Sequence, residues 1–383
     1  MAAADPSLAS SAAASAAGPA RAGARETAAL FGRHLLAFWF PGTAFLFLVT
    51  GPHPWYLALP FVTPLVLAHW LDTSGRREVR QPPEGLPDWP FDGIVYALAA
   101  LQLVNIALLV RLFAVQDLLS FDFLVAHIVV GASSGYSIIT AHELIHRRNV
   151  WQQRLGRGLL CSVLYEHFYT EHLRGHHLRV ATPEDPATAR FGESFHRFYR
   201  RTVPAQFASA WRLEKKRLGD ESMSNLDPRL LRSRVLHGLL IEWGAAGLIA
   251  VGFGWVSLAA FVLQGVLASR LLEIVNYFEH WGLERSGPRI GPSESWDTHS
   301  WFTYWSLIGL SRHADHHTFG SRPFQRLRVV PDAPLLPYGY VGTIALVMIK
   351  NREFRRLASA ELERRRLGPY RSSPPAARGP VRS

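Results

Sequence analysis

The sequence predicts an all-α integral membrane protein, with six transmembrane helices in three hairpins closed on one side by a helical cap. Two observations carry that prediction. The 383 residues are 48% hydrophobic and only 19% charged, and the apolar residues are gathered into long runs instead of alternating with polar ones. The arginines fall between those runs asymmetrically, the pattern of a chain whose long connections stay in the cytoplasm.

Residues 35–50 and 55–70 contain no Lys, Arg, Asp or Glu and are separated only by Gly51 to Pro54, so they read as the first hairpin. Each is a little short of the ~20 residues that span a bilayer, but Trp and Tyr near the ends and the flanking Arg33 and His34 suit an interfacial belt. Residues 93–110 and 123–140 form the second hairpin, and 236–253 and 256–275 the third. One such run is as compatible with a buried soluble helix as with a span. Six of them, paired by short links, favour the membrane.

Arg76, Arg77 and Arg80 lie between the first and second hairpins, and Arg147, Arg148, Arg154 and Arg157 follow the second. The positive-inside rule then places both termini and the long connections in the cytoplasm. The formal net charge is +11, and from Lys350 onward ten basic residues against three glutamates leave +7. A basic tail of this kind faces anionic lipid rather than nucleic acid. Residues 1–25 are an Ala-rich tail expected to be disordered, 26–349 the membrane domain with its cap at 141–234 and 276–349, and 350–383 the basic tail. Within the cap, 204–218 reads as a surface helix. The single cysteine, Cys161, excludes an internal disulfide, a Cys-rich zinc module and an iron–sulfur cluster, so a redox partner would be a separate protein.

The chemistry lies in the 17 histidines. His142 and His146 sit in HELIH, His172, His176 and His177 in HLRGHH, His280 in NYFEHWG, and His313, His316 and His317 in HADHH. Residues four apart share a helix face, so His142 with His146, His172 with His176, and His313 with His317 can each aim two imidazoles at one point. A single zinc site is satisfied by about four ligands. Nine imidazoles predict two metal ions with open positions, a histidine-rich dimetal site in the cap. Taken singly the motifs have plainer readings: HExxH also marks zinc peptidases with Glu143 as base, and an HxxxH pair is often a polar helix face. The other eight histidines stand alone, with His167 and His299 nearest the motifs.

Together, H-E-L-I-H from His142, E-H-L-R-G-H-H ending at His177, N-Y-F-E-H-W-G from Asn276 to Gly282 and R-H-A-D-H-H from Arg312 to His317 resemble the membrane-bound di-iron alkane 1-monooxygenases, within the fatty acid desaturase-like superfamily. The resemblance runs from about Leu35 to Pro331. Trp281 stands where Tyr is usual, Ser311 replaces a common Gln and Arg147 a frequent Lys, and none of these removes a ligand.

The resemblance, and not the spacing, implies two non-haem irons held by His142, His146, His172, His176, His177, His280, His313, His316 and His317. It implies O2 as cosubstrate and insertion of one oxygen atom into the terminal methyl of a medium- or long-chain n-alkane drawn from the bilayer, giving a 1-alkanol. Electrons would come from a rubredoxin or ferredoxin with its NAD(P)H-dependent reductase, steered by Arg147, Arg148, Arg322, Arg326 and Arg328. It places the chain in the inner membrane with the iron site on the cytoplasmic side. An aryl-methyl hydroxylase or a fatty acid desaturase or hydroxylase is the nearest alternative. A membrane zinc peptidase and a metal transporter are the rivals of other classes.

Each motif also has an acid directly beside a histidine: Glu143, Glu171, Glu279 and Asp315. These acids are expected to accept the far ring N–H of ligands on neighbouring motifs, fixing the tautomer. Asn276 and Glu273 share the face of His280, with Arg270 an alternative partner for Glu273. Trp39, Trp55 and Phe61 are the bulky residues offered for the substrate channel.

Overall fold

The structure, a computed structural model, describes residues 22–285 and 287–371. Most of the expected N-terminal tail and the end of the basic tail, with Arg378 and Arg382, lie outside the described residues. The described residues form helices joined by loops, with two isolated β-bridges, Arg77 with Ser300 and Asp297 with Leu335.

Four helices are long and apolar enough to cross a membrane: α1 (Ala24–Thr50), α3 (Trp89–Phe113), α4 (Phe121–Ile145) and α8 (Arg234–His280). The starts of α4 and α8 follow from capping side chains that satisfy otherwise orphaned backbone N–H groups. Ser120 Oγ accepts from Phe123 N at 3.2 Å and Ser233 Oγ from Leu236 N at 3.3 Å.

The second predicted span does not form one regular helix. Residues 55–73, α2, are built of a short helix Trp55–Ala58, a 3-10 turn Leu59–Val62 and the helix Thr63–Thr73. Pro60 and Pro64 each remove a backbone donor, which breaks the regular ladder.

The fifth and sixth predicted spans are continuous in α8, which is 47 residues long and has one non-helical residue, Gly254, at φ 87° and ψ 174°. That residue folds the helix back. A Cβ on Gly238 would lie 2.9 Å from Glu166 Cβ, and one on Gly265 would lie 2.9 Å from the Val163 carbonyl oxygen. A straight helix would hold Gly238 and Gly265 ~40 Å apart, whereas Val163 and Glu166 are separated by at most ~11 Å of chain. Residues 234–253 and 255–280 are therefore two arms meeting at Gly254, a left-handed φ that only glycine adopts at little cost. The first arm keeps Leu240, Trp243, Leu248 and Val251 exposed, an apolar face of the kind lipid covers.

The second arm packs on α4 through glycines. A Cβ on Gly131 or Gly135 would come within 2.8 Å of Leu267 Cδ1 or 2.7 Å of Leu271 Cδ1, so both positions need a hydrogen there.

The cap is made of α5 (Val150–Ser162), α6 (residues 167–179), α7 (Phe195–Arg217), α9 (Trp301–Ser306) and α10 (His313–Thr318). The helix expected over 204–218 starts nine residues earlier, where Ser194 Oγ accepts from Arg197 N, and it runs through Pro204. Within the stretch 276–349, expected to belong to the cap, lies an apolar helix, α11 (Tyr340–Ile349), followed by α12 (Asn351–Arg365).

One carboxylate fastens three of these pieces. Asp72, at the end of α2, accepts from Ser300 Oγ at 2.5 Å, Thr303 Oγ1 at 2.6 Å and Gly342 N at 2.8 Å, so α2, α9 and α11 share a buried hub.

Candidate metal centre

All nine motif histidines converge where the ends of α4 and α8 meet α6 and α10. His142 and His146 come from the last turn of α4, His172, His176 and His177 from α6, His280 from the last residue of α8, and His313, His316 and His317 from α10.

They divide into two adjoining groups. His142, His146, His172, His177 and His316 offer ring nitrogens that all lie within 4.8 Å of one another. His176, His280 and His317 form a second such set, and Glu279, His280 and His313 a third that shares His280 with it. The ring of His177 stacks on that of His317 at 4.6 Å between centroids, so the groups are neighbours.

The local backbone of α6 explains the division. Sequence spacing pairs His172 with His176, but residues 172–176 form a π-helical turn, which moves the residue five positions on, not four, onto the same side. His172 Nε2 accordingly lies 3.0 Å from His177 Nε2, while His176 turns to the other group. Gly175 permits the turn: a Cβ there would sit 2.6 Å from Glu171 Oε1, in the path of the Glu171–Arg179 ion pair, which closes at 2.7 Å.

The separations suit cations better than hydrogen bonds. His172 Nε2 is 3.0 Å from both His146 Nε2 and His177 Nε2, and His177 Nε2 is 3.3 Å from His316 Nε2. A ring nitrogen carries either one hydrogen or one lone pair, so His172 Nε2 satisfies at most one of those neighbours. Donors bound ~2.1 Å from one ion at right angles stand ~3.0 Å apart. The buried Nε2 atoms of His142 and His280 have no hydrogen-bond partner. Burial, and then the neighbouring rings, hold His146, His172, His313, His316 and His317 well below the usual histidine range, and His177 likewise. The rings stay neutral with lone pairs to give, the form in which imidazole binds metal. The residues present fit two metal ions.

A cavity of about 180 Å³ runs from between the helices to this centre. Its wall is apolar along Phe40, Leu65, Ile138, Leu271 and Ile344, and its inner end is formed by His142, His172, His313, Asn276, Glu279 and Tyr340. The cavity thus touches both histidine groups. None of the bulky residues offered from sequence lines it: Trp39 donates to the Pro64 carbonyl, Trp55 is exposed and Phe61 packs on Phe47 and His53.

The model of the family described as fatty acid desaturase matches residues 120–344, more than half of the chain and all nine histidines. The chain is 33% identical over 329 residues to alkane 1-monooxygenase 1 of Alcanivorax borkumensis, covering 81% of this chain and 80% of that one. It belongs to the alkane 1-monooxygenase family, within the fatty acid desaturase superfamily. It is also 41% identical over 221 residues to alkane 1-monooxygenase 1 of Pseudomonas aeruginosa, and 26% identical over 212 residues to the hydroxylase component of a xylene/toluene monooxygenase of Pseudomonas putida. Those two matches cover 56% and 54% of the relatives, so the chain spans little more than half the length of the first curated relatives it matches.

In this alkane 1-monooxygenase family member the acids beside the histidines do not act as a set. Glu143 pairs with Arg147 at 2.8 Å and accepts from Phe324 N, Glu171 pairs with Arg179, and Asp315 pairs with Arg322 at 2.5 Å and accepts from Arg328 N. None of these three reaches a ring nitrogen, because an arginine close in sequence takes each one. Glu279 alone of the four meets a histidine: its Oε2 lies 3.3 Å from His313 Nε2, on the side facing the cluster, and its Oε1 accepts from the Tyr340 hydroxyl at 2.5 Å. Asn276 lines the cavity and donates to Glu273 Oε2 at 3.2 Å. Glu273 is held also by Tyr165 and Gln206, not by Arg270, whose guanidinium lies over Phe195 and Tyr199.

The role expected of those acids falls to a residue outside every motif. Asp185, buried, accepts from His176 Nδ1 at 2.9 Å and is itself held by the Thr188 hydroxyl at 2.6 Å and Ala187 N at 3.2 Å. Burial works against its charge, but the His176 ring and the Thr188 hydroxyl keep the carboxyl below its usual range. No spacing rule marks Asp185, since the loop of residues 180–194 brings it back to the ring.

Proposed function

We propose that this chain is an integral membrane di-iron monooxygenase that hydroxylates the terminal methyl of medium- or long-chain n-alkanes to 1-alkanols. The observation that carries this reading is the pair of histidine groups at the inner end of an apolar cavity. His142, His146, His172, His177 and His316 would hold one iron. His176, His280, His313 and His317 would hold the other, with Glu279 facing it. Iron held by these residues would supply activation of O2, which with two electrons from an external carrier and two protons would give the alkanol and one water.

The chain's own residues position and exclude. An alkane leaves water for lipid at ~0.8 kcal/mol per methylene, and a cavity whose wall is mostly apolar receives it from there with little further cost. There the methyl would meet the rings of His142, His172 and His313, which come from both histidine groups. Leu307, Leu310 and Tyr340 close the cavity beside the centre and keep water from it. Tyr340 fixes one oxygen of Glu279, leaving the other turned toward His313.

We read the membrane topology as six crossings, with α2 and the two arms of α8 completing the three hairpins, and with the termini and the irons on the cytoplasmic side of the inner membrane. Electrons arrive from a rubredoxin or ferredoxin and its NAD(P)H-dependent reductase, the supply that membership of the alkane 1-monooxygenase family supports. Of the five arginines considered for steering that carrier, Arg147, Arg322, Arg326 and Arg328 pair with carboxylates. Arg148 is exposed and is the natural contact.

The test is metal analysis of the purified chain followed by product analysis with octane, hexadecane, xylene and a free fatty acid. Two irons per chain and 1-alkanols from the alkanes are expected. Zinc alone, or oxidation of xylene or the fatty acid without alkane, would overturn the reading.

A further inference from the structure

The two histidine groups differ in their carboxylates. Beside the five-histidine group the acids Glu143 and Asp315 are each paired with an arginine, while Glu171, paired with Arg179, lies near His176 and Asp185. The other group has Asp185 on the far nitrogen of His176 and Glu279 against His313 Nε2, and among the described residues the ion-pair contacts of these two are with those rings. Their remaining partners are uncharged: the Thr188 hydroxyl and Ala187 N for Asp185, the Tyr340 hydroxyl for Glu279. A third buried carboxylate, Asp297, accepts from Ala314 N at 2.8 Å and has Arg312 as a nearby cation.

Burying carboxylates without a cation is costly. Asp185 and Glu279 each touch a ring of the second group and, among the described residues, lack the arginine countercharge that Glu143 and Asp315 have beside the first. A divalent ion among His176, His280, His313 and His317 supplies it: two carboxylates balance a charge of +2 there. The five-imidazole group offers its ion no such balance. An imidazole whose far N–H is held by a carboxylate is also the more basic ligand.

We propose that the two metal sites are unequal. The site of His176, His280, His313 and His317 binds its ion more tightly and fills first, and Asp185 is the positioning residue that makes it so by holding His176 with Nε2 toward the ion. The five-histidine site fills second. This inference rests on the dimetal reading of the centre and goes beyond it.

The test uses the full chain in detergent, stripped of metal and titrated with ferrous ion without oxygen. Wild type should bind two ions in two classes at least ~10-fold apart. Asp185→Asn keeps a hydrogen-bond acceptor for His176 and removes the charge, so it should weaken the tight class ~10- to 100-fold and merge the classes. Thr188→Val should give a smaller shift in the same direction. His146→Ala should remove the weak class and leave the tight one. Thermal melts of each metal-free variant show that its fold is kept, and Mössbauer spectra of the first-filled site should change in Asp185→Asn but not in His146→Ala. Equal affinities in wild type, a tight class untouched by Asp185→Asn, or a tight class lost in His146→Ala would overturn the proposal. A wild type that binds one ion, lost in Asp185→Asn and kept in His146→Ala, would sustain the inequality and overturn the dimetal reading; no binding at all would overturn both.

Discussion

His172 and His177 present their Nε2 atoms to each other at 3.0 Å although five residues separate them. In a regular α-helix residues five apart point about 140° away from each other. The π turn at residues 172–176 removes that angle, and with it His176 is released to the second group. One local change of winding thus sorts adjacent histidines between the two histidine groups.

Gly175→Ala should undo that sorting. The added Cβ would meet the Glu171 carboxylate at 2.6 Å, so either the ion pair to Arg179 or the wide turn gives way, at a cost of ~1–3 kcal/mol. Iron content should fall below that of wild type and the melting temperature should drop. Full iron occupancy with an unchanged melt would mean that the turn does not depend on this glycine.

Gly135→Ala should narrow the cavity. Its Cβ would lie 2.7 Å from Leu271 Cδ1, and Leu271 is part of the cavity wall. Turnover of hexadecane relative to octane should fall, together with a loss of ~1–3 kcal/mol of stability. A ratio equal to that of wild type would argue that the long substrate does not pass this point.

Asp72→Ala should loosen the junction of α2, α9 and α11. Three buried donors, Ser300 Oγ, Thr303 Oγ1 and Gly342 N, would lose their acceptor, at a cost of about 3 kcal/mol or more. The melt should fall by several degrees, and Tyr340, which closes the cavity at the start of α11, should be displaced. Asp72→Asn, which keeps an acceptor, should do less harm. Equal melts for both variants and wild type would contradict the hub.

Glu166 gives the stability a pH dependence. Burial, opposed by Arg157, pushes its carboxyl up from 4.5 to about 7, so the folded chain binds this proton more tightly than the unfolded chain does. The contribution is full below about 4.5 and is lost as pH rises through about 7, by at most ~3 kcal/mol. Melting temperature measured from pH 5 to 8 should decline, and Glu166→Gln should flatten that decline. A steeper decline in the variant would show the sign to be wrong.

Reduction by an acidic carrier should depend only mildly on salt, since four of the five arginines are already paired and exposed charges are screened beyond ~10 Å at 0.1 M. Arg148→Glu should slow electron delivery several-fold at low salt and leave iron content unchanged. A steep salt dependence that survives Arg148→Glu would place the carrier elsewhere.

The sequence by itself determined that the chain is helical and apolar in long runs, and that nine histidines lie in four motifs. Run length, charge placement and residue spacing are local properties, readable without a fold. Tertiary structure decided what locality hides: the fold-back of α8 at Gly254, the inclusion of α11 in the cavity wall, and the division of the histidines five to four. Asp185 and Glu143 show the reason most plainly. Glu143 stands beside a histidine in sequence yet is taken by Arg147, whereas Asp185 stands beside none and reaches His176 through a loop. Which acid meets which ring depends on where side chains end in space, and short-range electrostatics follows that distance, not the distance along the chain.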